Sequence, residues 1–132
     1  MDHKILVAAN TMHHAVNMLG EAVEPFVPFS VRSPQLLKLK DGTQLFFYGA
    51  KYNSQLDEEP CVVILIRSKD GGKTWGDARM LSYEGVPYNL MGVPIYDEIN
   101  DVLVYFARSR QWKKGSKAAS CVVYLRIKCR EG

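Results

Sequence analysis

Several features are scarce in this chain of 132 residues, and each scarcity removes a class of protein. There are three cysteines, Cys61, Cys121 and Cys129. An odd number without regular spacing argues against a disulfide-stapled scaffold. Cys61 and Cys121 each open an apolar run, so both read as small core residues. The three histidines are His3, His13 and His14. His13 and His14 are adjacent, so on a helix they would project about 100° apart. No cysteine or acidic cluster flanks them, and neither a metal site nor any other cofactor is expected. No apolar run approaches the roughly 20 residues that cross a bilayer as a helix. Ile5-Leu6-Val7-Ala8-Ala9 is too short for the apolar segment of a secretory signal and is followed by polar residues. The default expectation is a reducing, cytoplasmic compartment.

Charge is also nearly balanced, with 17 Lys and Arg against 14 Asp and Glu, a net +3. The excess comes mostly from the last stretch, through Arg108, Arg110, Lys113, Lys114, Lys117, Arg126, Lys128 and Arg130. Such a stretch could meet nucleic acid or anionic glycans. No aromatic-basic stacking motif accompanies it, so a solvated strand face and loop are expected and nucleic acid is not. The length allows one domain with a modest core.

What is present is mostly β pattern. Residues 4 to 9 could form a short strand. Thr11 to Val23 carries Met12, Ala15, Val16, Leu19 and Val23 near helical spacing, with Thr11 as N-cap, which predicts a short helix weakened by Gly20. Residues 1–24 thus read as an N-terminal extension. Pro25, Pro28 and Pro34 force an extended segment. Gln35–Lys40 and Gln44–Tyr48 flank Asp41-Gly42-Thr43, the signature of a hairpin. Lys51–Pro60 is a polar loop. Cys61–Ile66 is continuously apolar, which suits a strand in a sheet covered on both faces. Ala78–Tyr83 completes a four-strand meander. A second unit follows, with strands at Val93–Tyr96, Val102–Ala107 and Ala118–Ile127, and a polar loop from Arg108 to Lys117 that holds Trp112.

The turn between the third and fourth strands carries the most specific signal. Ser68-Lys69-Asp70-Gly71-Gly72-Lys73-Thr74-Trp75 supplies side-chain acceptors for its own backbone, two glycines free to take positive φ, and an indole to fold over the turn. The spacing Ser68-x-Asp70-x-Gly72-x-x-Trp75 resembles the Asp box (BNR repeat) of the sialidase, or neuraminidase, superfamily. In that family the box is architectural and lies away from the active site, and non-sialidase propellers such as sortilin carry it too. One copy occurs here, so a blade repeat rests on strand rhythm rather than on self-similarity. The resemblance implies an all-β, partial six-bladed β-propeller. Blade one would span about 32–83 and an incomplete blade two about 92–127, within a unit of 25–132.

Three further segments are similar to the opening of a sialidase domain. Val31-Arg32-Ser33-Pro34 resembles the family's Arg-Ile-Pro motif, with Ser33 in the Ile place. Arg32 then matches the first arginine of the triad that grips the substrate carboxylate. A guanidinium meets a carboxylate bidentately, which a lysine cannot do; on residue types alone, Arg32 is equally a surface arginine before an extended segment. Asp57 lies where the family loop carries its acid/base aspartate. Its neighbours Glu58 and Glu59 would raise its pKa, as suits a proton donor, although Asp57-Glu58-Glu59 also reads as a solvated acidic loop. Lys51 stands where the family has an arginine. Gly92-Val93-Pro94-Ile95-Tyr96-Asp97 resembles the Asn-Pro-x-Pro-Val-x-Asp stretch at Pro94 and Asp97, while Met91 and Gly92 depart from it.

The implied activity is exo-hydrolysis of terminal sialic acids from glycoconjugates, by a retaining mechanism with a tyrosine nucleophile. Resemblance places that tyrosine, its glutamate and two of the three arginines in later blades. Tyr83, Tyr88 and Tyr105 lack the family context. The expectation is a hydrolase fragment with little or no turnover by itself, since active-site groups act as a unit. Fewer than two blades would leave apolar faces open, so the chain should be marginal, oligomeric or part of a longer product. The rival reading is a non-catalytic Asp-box module that binds glycans or proteins, favoured by Lys51 and Met91. In either case the expected partner is a sialylated or other glycan.

Overall fold

The computed structural model describes residues 4–52, 61–81, 91–111 and 119–127; for 91, 107–111 and 119–123 the description is of the backbone. The described residues form seven strands and no helix. They are β1 (Ser30–Lys38), β2 (Gln44–Lys51), β3 (Cys61–Ser68), β4 (Gly76–Leu81), β5 (Met91–Asp97), β6 (Val102–Gln111) and β7 (Ala119–Ile127). Two antiparallel sheets result, ordered β1-β2-β3-β4 and β5-β6-β7, each with strands in sequence order. Neither is closed into a ring. β6 runs on to Gln111, so the residues from Arg108 to Gln111, expected as loop, are strand. Their backbones pair with β7 from Ser109↔Cys121 to Gln111↔Ala119. Trp112 lies outside the described residues.

The hydrophobic pattern explains why the first sheet is covered twice. Every residue of β3 is buried. Val63 and Leu65 face one way, with Leu45, Phe47 and Leu81, and meet Leu103, Tyr105 and Ile127 of the second sheet. Phe47 stacks on Tyr105 with ring centroids 5.6 Å apart. Val62, Ile64 and Ile66 face the other way, with Tyr48, Ala50 and Met80, under Leu6, Val7, Ala15, Val23 and Phe26 of the N-terminal extension. At about 25 cal/mol per Å² of apolar surface, this two-sided burial dominates the fold's stability.

The extension is neither the short strand nor the helix expected of it. Asn17 Oδ1 accepts from the backbone N–H groups of Leu19 and Glu21, at 2.9 and 3.0 Å. This is the side-chain competition that diverts a chain from helix. Gly20 takes φ +83°, which ends any helical path. Val16 instead forms a parallel bridge to Arg79. Its N–H donates to Ala78 O at 3.0 Å, and Met80 N–H donates to Val16 O at 2.7 Å. The extension thereby adds to the outer edge of β4, which blunts that edge. His13 helps to fasten it: Nε2–H donates to Ala8 O at 2.9 Å, and in the neutral ring Nδ1 accepts from the Tyr48 hydroxyl at 3.1 Å.

Prolines sit where a ladder tolerates them. β1 is bulged between Arg32 and Gln35, with Ser33 at φ +57° and Pro34 next to it. Pro34 has no N–H to give, so two β1 residues oppose one β2 residue there. Pro94 lies on β5, an edge strand. The Tyr96 hydroxyl joins the sheets, accepting from Lys40 N–H at 3.2 Å and donating to Asp101 Oδ1 at 2.6 Å.

Candidate functional site

The four-stranded sheet has two chemically different ends. At one end lie the β1–β2 and β3–β4 turns. At the other lie the start of β1, the end of β2 and the start of β3.

The first end is closed by its own hydrogen bonds. Ser68 is buried, and its Oγ donates to Asp70 Oδ1 at 2.9 Å while accepting from Gly72 N–H at 2.8 Å. Asp70 Oδ1 also accepts from Thr74 N–H at 2.9 Å, and its Oδ2 accepts from the Thr74 hydroxyl. The Thr74 hydroxyl and amide, with help from Ser68 and the Lys73 amide, hold the exposed Asp70 carboxyl well below the usual carboxylate range. Gly71 and Gly72 take φ +75° and +91°, and Trp75 Nε1–H donates to Gly72 O at 3.1 Å. The indole packs edge-on to Phe46 with centroids 6.1 Å apart. Lys4 of the extension donates to Gly72 O and Lys73 O, at 3.3 and 3.1 Å. All four signature residues thus serve the turn.

Beside this turn is an open cleft of about 310 Å³ lined by Arg67, Lys69, Thr74, Trp75, Gly76 and Asp77. Two of its charged residues, Arg67 and Asp77, meet each other. Arg67 Nη1 lies 2.9 Å from Asp77 Oδ2, and Arg79 Nε lies 3.1 Å from Asp77 Oδ1. Sequence reasoning missed this trio, although an arginine ending a wholly buried strand signals a required acidic partner.

The opposite end gathers the other predicted residues. Arg32 pairs with Gly49, and Gly49 with Val63, which puts Arg32 on the face turned to the second sheet. Lys51 lies opposite both Ser30 and Cys61 on that face, and is 3% exposed. Burial pushes the Cys61 thiol up, partly offset by the positive charges of Lys51 and Arg32. Tyr105 reaches the same neighbourhood from β6. Its hydroxyl accepts from Gly92 N–H at 2.9 Å, and burial, aided by Cys61, pushes its pKa to about 12. Between the sheets here is a cavity of about 10 Å³ lined by Ser33, Phe47, Tyr48, Gly49, Val63, Gly92 and Tyr105. That is room for one water, not for a sugar.

Cys61 and Tyr105 were read from sequence as ordinary strand residues. Their inward direction was not readable, because Cys61–Ile66 and Val102–Ala107 are both continuously apolar, and their meeting depends on sheet-on-sheet packing. Asp57 lies outside the described residues, as do Glu58, Glu59, Tyr83 and Tyr88. Among the described residues, no three His, Cys, Asp or Glu side chains come together as a metal site, and no helix is long and apolar enough to cross a membrane.

The chemistry available follows from these states. A thiol and a phenol that are both neutral near pH 7 are poor nucleophiles. Two cations on one face of the sheet are suited to holding an anion. Comparison with protein-family models, with curated proteins and with solved structures returns no match for this chain.

Proposed function

We propose that this chain is a sialidase-like Asp-box propeller module, comprising blade one and most of blade two, whose Arg32–Lys51 end receives the carboxylate of an acidic sugar. The observation that carries the reading is the division of the blade. The Ser68–Trp75 turn satisfies its own polar groups at one end, and Arg32 and Lys51 occupy the other. That division supports a resemblance in which the box is structural and the arginine end binds substrate. In this reading Arg32 forks the carboxylate, Lys51 adds positive potential from behind it, and Asp57 is the proton donor to the leaving oxygen.

Binding without appreciable turnover is the function these residues support best. The resemblance assigns the family's tyrosine–glutamate nucleophile to later blades, and Tyr105 is held neutral and committed to Gly92. The test is titration of sialyllactose and of lactose into the protein, followed by NMR or calorimetry. Preference for the sialylated sugar, lost about tenfold or more in Arg32→Ala, is the expected result, because a charged hydrogen-bonded pair contributes about 1.5–3 kcal/mol. Equal affinity for the two sugars removes the acidic-sugar reading. Release of fluorophore from a sialoside, abolished by Asp57→Ala, would replace binding with hydrolysis.

A further inference from the structure

The two sheets are unequally covered. Both faces of the first sheet are packed, one by the second sheet and one by the N-terminal extension. In the second sheet, Leu103, Tyr105 and Ile127 fill the inter-sheet core. The alternate residues point outward, and they are apolar as well. Val93 is 54% exposed, Ile95 50%, Phe106 39% and Tyr124 56%. Register places them side by side: Val93 pairs with Phe106, and Phe106 with Tyr124. The Phe106 and Tyr124 rings meet edge to face at 5.4 Å. A solvated sheet face would carry polar residues at these positions.

We infer that this outer face of β5-β6-β7 is a dimer interface, closed by a second copy of the same chain about a two-fold axis parallel to β6. Area supports it. The four side chains leave roughly 400 Å² uncovered per chain, and a symmetric pair with its rim buries on the order of 1,000 Å², the lower bound for a specific interface. Charge supports it too. Asp97, exposed at the end of β5, and Arg126, exposed on β7, lie on opposite edges of this face. The proposed two-fold lays β5 of one copy over β7 of the other, so each Asp97 comes over the end of the strand that carries Arg126. An isologous contact makes that pairing twice and closes. Flat, twisted sheet faces stack on their own kind in this way in β-sandwiches.

The inference does not depend on the acidic-sugar reading, because the face lies on the far side of the second sheet from Arg32 and Lys51. Sedimentation equilibrium of the purified chain at 5–200 μM (roughly the range over which interfaces of this size associate) tests it. The expected species has twice the 14.9 kDa chain mass. Ile95→Lys and Phe106→Lys should each weaken association about 100-fold or more, since each buries an unpaired charge. Arg126→Glu should weaken it about tenfold, while Leu19→Lys, on the exposed extension, should not change it. Both β-face positions are solvent-exposed in the monomer, so strand content by circular dichroism should persist. A mass equal to one chain throughout, growth without limit with concentration, or a dimer indifferent to Ile95→Lys and Phe106→Lys would overturn the inference.

Discussion

Replacing Ser68 by alanine should cost more than its small volume implies. Its Oγ accepts from Gly72 N–H at 2.8 Å and donates to Asp70 Oδ1 at 2.9 Å, and the residue is 1% exposed. The alanine leaves the Gly72 amide without its acceptor and takes one donor from an ionised carboxylate. A lost bond to a charged group and an unsatisfied amide each cost about 1–3 kcal/mol when buried. Gly72 is only half-buried, and Asp70 keeps Thr74, so water and the remaining donors recover part of this. The expected loss is about 1–2 kcal/mol, and for a domain of this size about 4 °C per kcal/mol, giving a fall in Tm of about 4–8 °C. Thermal unfolding followed by circular dichroism measures it, with Lys69→Ala as an exposed neighbour expected to shift Tm by less than about 1 °C. Ser68→Ala and Asp70→Asn should also be non-additive, because both act on one network. A Ser68→Ala protein melting with the parent would refute the view that this hydroxyl holds the turn.

Two further outcomes follow from the same structure. Asp70 has its pKa lowered in the folded chain, so its contribution is present above the ordinary carboxylate value and is lost as pH falls below about 4 toward the folded value. A Tm series from pH 7 to pH 2 should fall in that window, and Asp70→Asn should flatten the fall. Val16→Pro removes the donor to Ala78 O and should loosen the extension from β4, costing about 2–3 kcal/mol and speeding limited proteolysis within residues 4–23; unchanged cleavage there would show that the bridge does not hold the extension.

The strands were legible because their residues agree at every level. β3 is an unbroken run of branched and apolar residues, and the β1–β2 and β3–β4 turns carry their own acceptors and glycines. Asp41 Oδ1 takes Thr43 N–H at 2.9 Å across the first hairpin, as the Asp-Gly-Thr signal implies. The extension was not legible, because its apolar spacing fits a helix and only tertiary pairing with β4 overrides it. Val16 has a helical neighbourhood in sequence and a strand partner 63 residues away in Arg79. The candidate site divides in the same way. The roles of Ser68, Asp70, Gly72 and Trp75 are local, so spacing exposes them. The approach of Arg32, Lys51, Cys61 and Tyr105 is set by register across three strands and packing between two sheets, which no short motif encodes.

This contrast also separates the two ends of the four-stranded sheet. A group can bind a ligand only if the fold has not already saturated it. At the Ser68–Trp75 end, Asp70 is met by Ser68 and Thr74, the indole N–H by Gly72, and Asp77 by two arginines. A ligand there would have to break bonds that hold the hairpin, and would exchange one satisfied network for another with little net gain. At the opposite end the backbone ladder of β2 and β3 is complete as far as Lys51↔Cys61, and Arg32 and Lys51 both lie on the face turned to the second sheet. Their positive charges act on the buried Cys61 thiol and offset part of the effect of its burial. The self-satisfied turn and the two cations therefore lie at different ends of the same four strands.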